Sequence, residues 1–268
     1  MTSTLGCNKN SPTTLVRMLC MRLLPLLFLM FSLPALALVP PNYKDPVNRF
    51  TAELELGMQY NSGNTNSANF NTRSKLIYDG DNAKHEGNLR GFFASDNNST
   101  TAEQYQLQYQ LDYKLEGSHY LYGRTELLID RFGSYERQNT ISGGYGFTPL
   151  DKKQTKLSLE GGLGYRYNRA NLSNSTDPAQ RASEEEAIVR LASKLEHRMQ
   201  EYTTFNADTT LETGNNNTIA NINLSYRNQL WADLALKIGM DIKYTDKVPE
   251  GTENTDVIST INLLYTFR

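Results

Sequence analysis

From Gln104 to Leu115 the chain alternates without a break. Tyr105, Leu107, Tyr109, Leu111, Tyr113 and Leu115 fall on one parity; Gln104, Gln106, Gln108, Gln110, Asp112 and Lys114 fall on the other. Only an extended backbone puts these two sets on opposite faces, whereas a helix would scatter them around its circumference. The same period of two opens at Phe50 to Tyr60, where every even position is apolar and nearly every odd one polar. It fits Ala68 to Tyr78, Lys84 to Phe93, His119 to Ile129, Gln138 to Phe147, Lys156 to Tyr167 and Glu186 to Leu195. It continues through Thr203 to Leu211, Ala220 to Leu230, Ala232 to Tyr244 and Val257 to Phe267. Twelve strands are therefore expected, with Gly and polar residues interrupting the pattern in the fifth and sixth. Most run about ten residues or more, roughly twice a globular strand and the length a tilted strand needs to cross a bilayer.

The connections alternate too. Asp79 to Asn82, Glu116 to Ser118, His197 to Gln200 and the pivot at Trp231 read as tight turns, with Thr148 to Gln154 longer. Between them fall looser segments: Asn61 to Ser67, Ser95 to Thr101, Arg131 to Arg137, Asn168 to Ser183, Thr213 to Asn217 and Thr245 to Asn254. Short turns at one end and longer loops at the other are the rhythm of an outer-membrane barrel, and an even strand count returns both termini to the periplasmic side. Asn168 to Ser183 is the longest loop and the candidate to fold inward or meet a partner.

The first 37 residues differ in kind. Arg17 and Arg22 precede an apolar core, Leu23 to Ala37, which is broken by Pro25 and Pro34 and ends in Ala35-Leu36-Ala37. That is the layout of a cleavable signal peptide, and the core is too short to span a bilayer. The expected organisation is a leader at 1–37, a periplasmic tail at 38–48 and a barrel at 49–268. Both cysteines, Cys7 and Cys20, lie in the leader, so the exported chain has no thiol and no disulfide scaffold. Cys20 precedes the apolar core, which argues against a lipid anchor. A formal net charge of -2 and the absence of a basic patch argue against nucleic acid.

A soluble sandwich also alternates, because one sheet face meets a core and the other water. Here the strands are too long and uniform for that. Tyr60, Tyr78, Phe93, Phe147, Tyr167, Tyr226, Tyr244 and Phe267 sit near strand ends, where amphipathic rings would meet lipid headgroups. The chain also stops on a strand, and in hydrocarbon its edge must pair with the first strand, since each unpaired backbone group costs several kcal/mol. The expectation is a single all-β, antiparallel transmembrane barrel of the outer membrane, contacting lipid and monomeric. Two alternatives stay open: a rim-active envelope enzyme of lipid-hydrolase type, and a soluble periplasmic barrel that binds a small ligand.

Several short motifs are spread over residues 49 to 267. They are Gly63-Asn64-Thr65, Arg131-Phe132 with Tyr135-Glu136-Arg137, Glu160-Gly161-Gly162-Leu163-Gly164-Tyr165-Arg166, and the closing Asn262-Leu263-x-Tyr265-x-Phe267. On these the chain resembles the DUF481 family, described as salt-induced outer membrane proteins of Gram-negative bacteria. The resemblance implies location and architecture and supplies no catalytic residues. Arg268 departs from the family's usual aromatic end. Leu263, Tyr265 and Phe267 are the positions through which the closing strand would meet the outer-membrane assembly machinery.

If the apolar parity faces lipid, the other lines a lumen. It carries Glu53, Glu55, Arg73, Lys75, Arg90, Arg124, Glu126, Glu160, Arg190 and Arg227, and with them Asp112, Arg166, Glu186, Asp208, Lys237 and Asp241. Glu53 and Glu55 lie opposite Arg73 and Lys75 on the next strand, an arrangement suited to cross-strand pairing. Such charges can form the constriction of a small channel, or can simply satisfy one another and fill a narrow barrel. His85, His119 and His197 are scattered and lack a serine partner, which disfavours a hydrolase. No clustered ligands suggest a metal, no cofactor is indicated, and Glu184-Glu185-Glu186 reads as a solvated loop edge.

Overall fold

Twelve alternating strands close on themselves. The computed structural model describes residues 49–61, 67–97, 99–171, 183–248 and 253–267; the leader and tail at 1–48, with Gly63, Asn64, Thr65 and Arg268, lie outside them. The strands are β1 (Phe50–Asn61), β2 (Ser67–Asp79), β3 (Ala83–Asp96), β4 (Ser99–Lys114), β5 (His119–Asp130) and β6 (Tyr135–Asp151). They continue as β7 (Thr155–Ala170), β8 (Ser183–Gln200), β9 (Thr203–Gly214), β10 (Thr218–Gln229), β11 (Leu234–Thr245) and β12 (Thr255–Phe267). Each pairs antiparallel with its sequence neighbours, and β12 returns to β1. The described residues contain no helix.

Parity decides which side chains meet which solvent. Leu56, Ile141, Leu163 and Ile261, each near mid-strand, point outward and are 48, 63, 70 and 67% exposed. A soluble protein does not display such a belt; a bilayer removes it from water. Phe50, Tyr78, Phe147, Tyr226 and Phe267 ring the end with the short turns, and Phe70, Phe93, Tyr105, Tyr165 and Tyr244 the other end. Buried polar side chains, among them Glu55, Glu160, Arg166, Arg190 and Asn168, fill the inside instead of an apolar core.

Several boundaries differ from the sequence expectation. Ser95 to Thr101 is not a loop: β3 and β4 run on to Asp96 and Ser99, with a bulge at Ala94/Ser95 absorbing the extra residue. His197 to Gln200 is strand, and the turn falls at Glu201-Tyr202. β6 continues to Asp151 past an irregularity between Phe147 and Leu150, so its turn is only Lys152 to Gln154. β11 starts at Leu234, two residues after the expected Ala232. In the first three cases polar residues carry the ladder on, because strand ends outside the bilayer need no apolar parity.

The breaks in the fifth and sixth strands have a packing cause. Tyr120 and Tyr122 occupy the inward parity of β5, and Tyr122 is buried. A Cβ on Gly146 would fall 2.2 Å from the Tyr120 ring, and one on Gly162 would fall 2.5 Å from the Tyr122 hydroxyl and 2.3 Å from the Gly143 carbonyl. The glycines of β6 and β7 are thus a floor on which two inward tyrosines lie. Parity alone gives no sign of these inward tyrosines, because tyrosine suits the lipid-facing parity as well.

The β1–β12 seam has the shortest ladder, with Ala52 to Leu56 facing Phe267 to Leu263. Tyr265 and Phe267 pack edge to face at 4.6 Å on its outer side.

Candidate functional site

The barrel encloses a cavity of about 1700 Å³. Its wall reaches from Lys156 and Arg227 near the short turns to Asp130 and Asp256 near the loops. Of the ten lumen charges singled out from sequence, Glu53, Glu55, Arg73, Lys75, Arg90, Arg124, Glu126, Arg190 and Arg227 line it. Glu160 lies behind the wall, buried, holding Arg190. The described lining residues include twelve Arg or Lys and ten Asp or Glu, and with the buried Glu160 and Glu186 behind them the interior is close to neutral.

The pairing differs from the expected hairpin. Glu53 lies opposite Lys75 and Glu55 opposite Arg73 in the ladder, but the ion pairs run elsewhere. Glu53 meets Arg227 at 3.3 Å and Glu55 meets Lys237 at 2.6 Å, while Asn262 donates to Glu55 at 3.1 Å. Arg73 and Arg90 both reach Asp241, at 3.4 and 2.6 Å, and Lys75 meets Glu86 at 3.3 Å. A concave wall brings side chains from non-adjacent strands closer than those of a flat sheet, and sequence alone does not display that curvature. Four of these ion pairs, with the Asn262 hydrogen bond, join β1, β2 and β3 to β10, β11 and β12. They tie together the strands on either side of the seam.

The opposite wall holds a second network. Arg166 and Arg190 are both 1% exposed. Arg166 donates to Glu186 at 2.6 Å, and Arg190 donates to Glu160 at 2.8 Å, with Glu212 between them at 3.5 and 4.0 Å. Gln110 and Tyr120 also donate to Glu160, at 2.9 and 3.1 Å, and the Arg190 guanidinium lies 5.2 Å from the Tyr122 ring centre. Buried charges persist only when paired and hydrogen-bonded in this way. Along β5, Arg124 pairs with Glu126 at 2.9 Å.

Glu186 overturns the reading of 184–186 as a solvated edge. Besides Arg166, its carboxylate accepts the backbone N–H groups of Asn216 and Asn217, at 2.8 and 3.3 Å. That holds the β9–β10 turn inward. Asn217 is buried, donates to the Tyr135 hydroxyl at 2.8 Å and to the Lys247 carbonyl at 2.6 Å, and accepts the Lys247 N–H at 3.0 Å. Among the described residues the 215–217 turn folds over this end; the loop expected to fold inward, 168–183, lies mostly outside the described residues. A bulge between Tyr135 and Arg137 explains Tyr135: it turns this odd-numbered side chain inward while Arg137 stays exposed.

The remaining motif residues have structural places. Arg131 pairs with Glu103 at 3.0 Å, and Phe132 is exposed in the β5–β6 connection, whose Phe132 and Gly133 N–H groups Asp130 accepts. Gly164 lies inward against Ser142 and Ile188, while Tyr165 points outward. His85 and His119 bond the outward tyrosines Tyr109 and Tyr145, and His197 bonds Thr155. Among the described residues no group of three or more His, Cys, Asp or Glu is placed to hold a metal ion.

An apolar belt outside, a charged lumen inside and a closed antiparallel ladder define a twelve-stranded outer-membrane β-barrel. The chain belongs to the DUF481 family, a protein family of unknown function, whose model matches residues 54–267. It is similar to the uncharacterized protein YdiY of Escherichia coli strain K12, 26% identical over 231 residues that cover 84% of this chain and 85% of that one. Among solved structures, the COG4313 outer membrane channel from Pseudomonas putida F1 is 12% identical with a TM-score of 0.47, covering 86% of this chain and 100% of its own. The NanC porin is 14% identical with a TM-score of 0.44, covering 80% and 97%. The translocator domain of autotransporter NalP from Neisseria meningitidis is 13% identical with a TM-score of 0.45, covering 96% and 97%.

Proposed function

We propose that the barrel is a passive, non-enzymatic channel that lets small hydrophilic solutes cross the outer membrane. The observation that carries this reading is the charge-lined cavity reaching from one end of the barrel to the other. A lumen needed only as filler would be closed by apolar side chains or by ion pairs packed across its whole width. Here most charges pair along the wall and leave space between. Interleaved acids and bases set a local field that admits ions and small polar molecules while leaving net selectivity weak.

On this reading the leader at 1–37 directs export and is removed, the barrel works as a monomer, and the closing strand Leu263, Tyr265 and Phe267 is what the assembly machinery engages. Limited passage also fits a role in envelope integrity under changing salt, because surface charge interactions weaken as the screening length shortens. The test is purified protein in a planar lipid bilayer. Discrete conductance steps are expected, and their absence from protein that remains heat-modifiable on gels would refute the channel.

A further inference from the structure

Two successive inward positions of β11 reach for different walls. Asp241 takes Arg73 and Arg90 on β2 and β3. Lys243 reaches instead to β6, where its ammonium donates to Gln138 Oε1 at 2.6 Å. β6 and β11 are five strands apart by the shorter way around a twelve-stranded ring, so this bond spans the lumen close to its full width.

The acceptor is held in place. Gln138 is buried, and its amide donates to Asn168 Oδ1 at 3.2 Å, which turns Oε1 toward the lumen. Lys243, Gln138, Asp130 and Asp256 all face the cavity. Asp256 is the ladder partner of Lys243 on β12, and Asp130 and Glu126 on β5 line the same cavity. Arg166 lines it too, but that guanidinium is committed to Glu186. Glu126 is likewise committed to Arg124. The level of the strap therefore sets one lysine against two carboxylates, those of Asp130 and Asp256.

We propose that Lys243 is the specificity-determining residue of the permeation path, a strap that sets both the width and the charge preference of its loop-side half. This rests on the channel reading above. Its stem divides the opening, and its charge offsets one of the two carboxylates, Asp130 and Asp256, so that inorganic cations are preferred over anions only weakly. Without it the opening is wider and lined by two unopposed carboxylates, which concentrate cations and repel anions.

The experiment measures single-channel conductance and reversal potential in a KCl gradient for the wild-type chain, Lys243→Gln and Lys243→Arg, each first shown to be heat-modifiable. Lys243→Gln should conduct more and shift its reversal potential toward K⁺, while Lys243→Arg, which keeps charge and reach, should stay near wild type. A conducting wild type with Lys243→Gln unchanged in both quantities would overturn the strap and leave the channel standing. A silent wild type would overturn the channel and the strap with it. Blocking Lys243→Cys with a cationic thiol reagent gives a second readout: conductance should fall in that variant alone, since the only native cysteines are Cys7 and Cys20.

Discussion

Replacing Glu160 by leucine should be among the most damaging single changes to this barrel. Glu160 is buried and accepts from Arg190 at 2.8 Å, and both side chains are 1% exposed. Gln110 keeps a second acceptor in Asp112 at 2.8 Å, and Tyr120 is half-buried, so neither is stranded completely. Arg190 loses its one close carboxylate: its other acidic neighbour, Glu212, stands 4.0 Å from Nε and is shared with Arg166. Removing one member of a buried ion pair costs about 3–5 kcal/mol. At about 1.4 kcal/mol per decade that is two to three and a half orders of magnitude in the folding equilibrium. The assay is urea unfolding in lipid vesicles, followed by the heat-modifiable band. The double variant Glu160→Leu with Arg190→Met should recover most of the loss, because the stranded charge is gone. By contrast Asp81→Ala, which breaks the pair with Arg49 at 63 and 78% exposure, should cost roughly 0–1 kcal/mol. A Glu160→Leu loss as small as that of Asp81→Ala, or a double variant as unstable as the sum of its parts, would refute the account.

Leu163→Arg, on the lipid face at mid-strand, should cost about 2–4 kcal/mol on the same assay, falling to near 1 for an outward site close to either interface. Gly162→Val should cost about 1–3 kcal/mol through overpacking against Tyr122 and the Gly143 carbonyl, and Tyr122→Ala in the same chain should return part of it, which thermal unfolding of the two variants decides. Phe267→Ala should lower the fraction of chain recovered folded in outer-membrane fractions, since it removes the ring that packs on Tyr265 beside the five-residue ladder; an unchanged folded fraction would show that this contact does not matter for assembly.

The fold was legible because lipid and water impose opposite demands on alternate residues. Tyr105 to Leu115 could satisfy them in only one way, and the inward parity of Glu53 or Arg227 followed from the same rule. Where that demand lapses, at the strand ends beyond the bilayer, the reading slipped at 95–101 and 197–200. Tyr120, Tyr122 and Tyr135 were missed for a different reason. Their inward direction depends on neighbouring glycines or on a bulge, and Gly143-Gly144-x-Gly146 facing Gly161-Gly162-x-Gly164 was the signal that could have found the first two. The partners of the lumen charges, Asn217 and Lys243 included, depend on curvature that brings distant strands face to face, and no local pattern encodes that.

The links across the β1–β12 seam bear on the order in which such a barrel can be completed. A sheet still open at that edge offers Glu53 and Glu55 only Lys75 and Arg73, the neighbours of the first hairpin. Arg227, Lys237 and Asp241 come within reach of Glu53, Glu55 and Arg73 only when β10 and β11 stand beside the first hairpin, so these ion pairs belong to the closed ring alone and join residues near both ends of the chain.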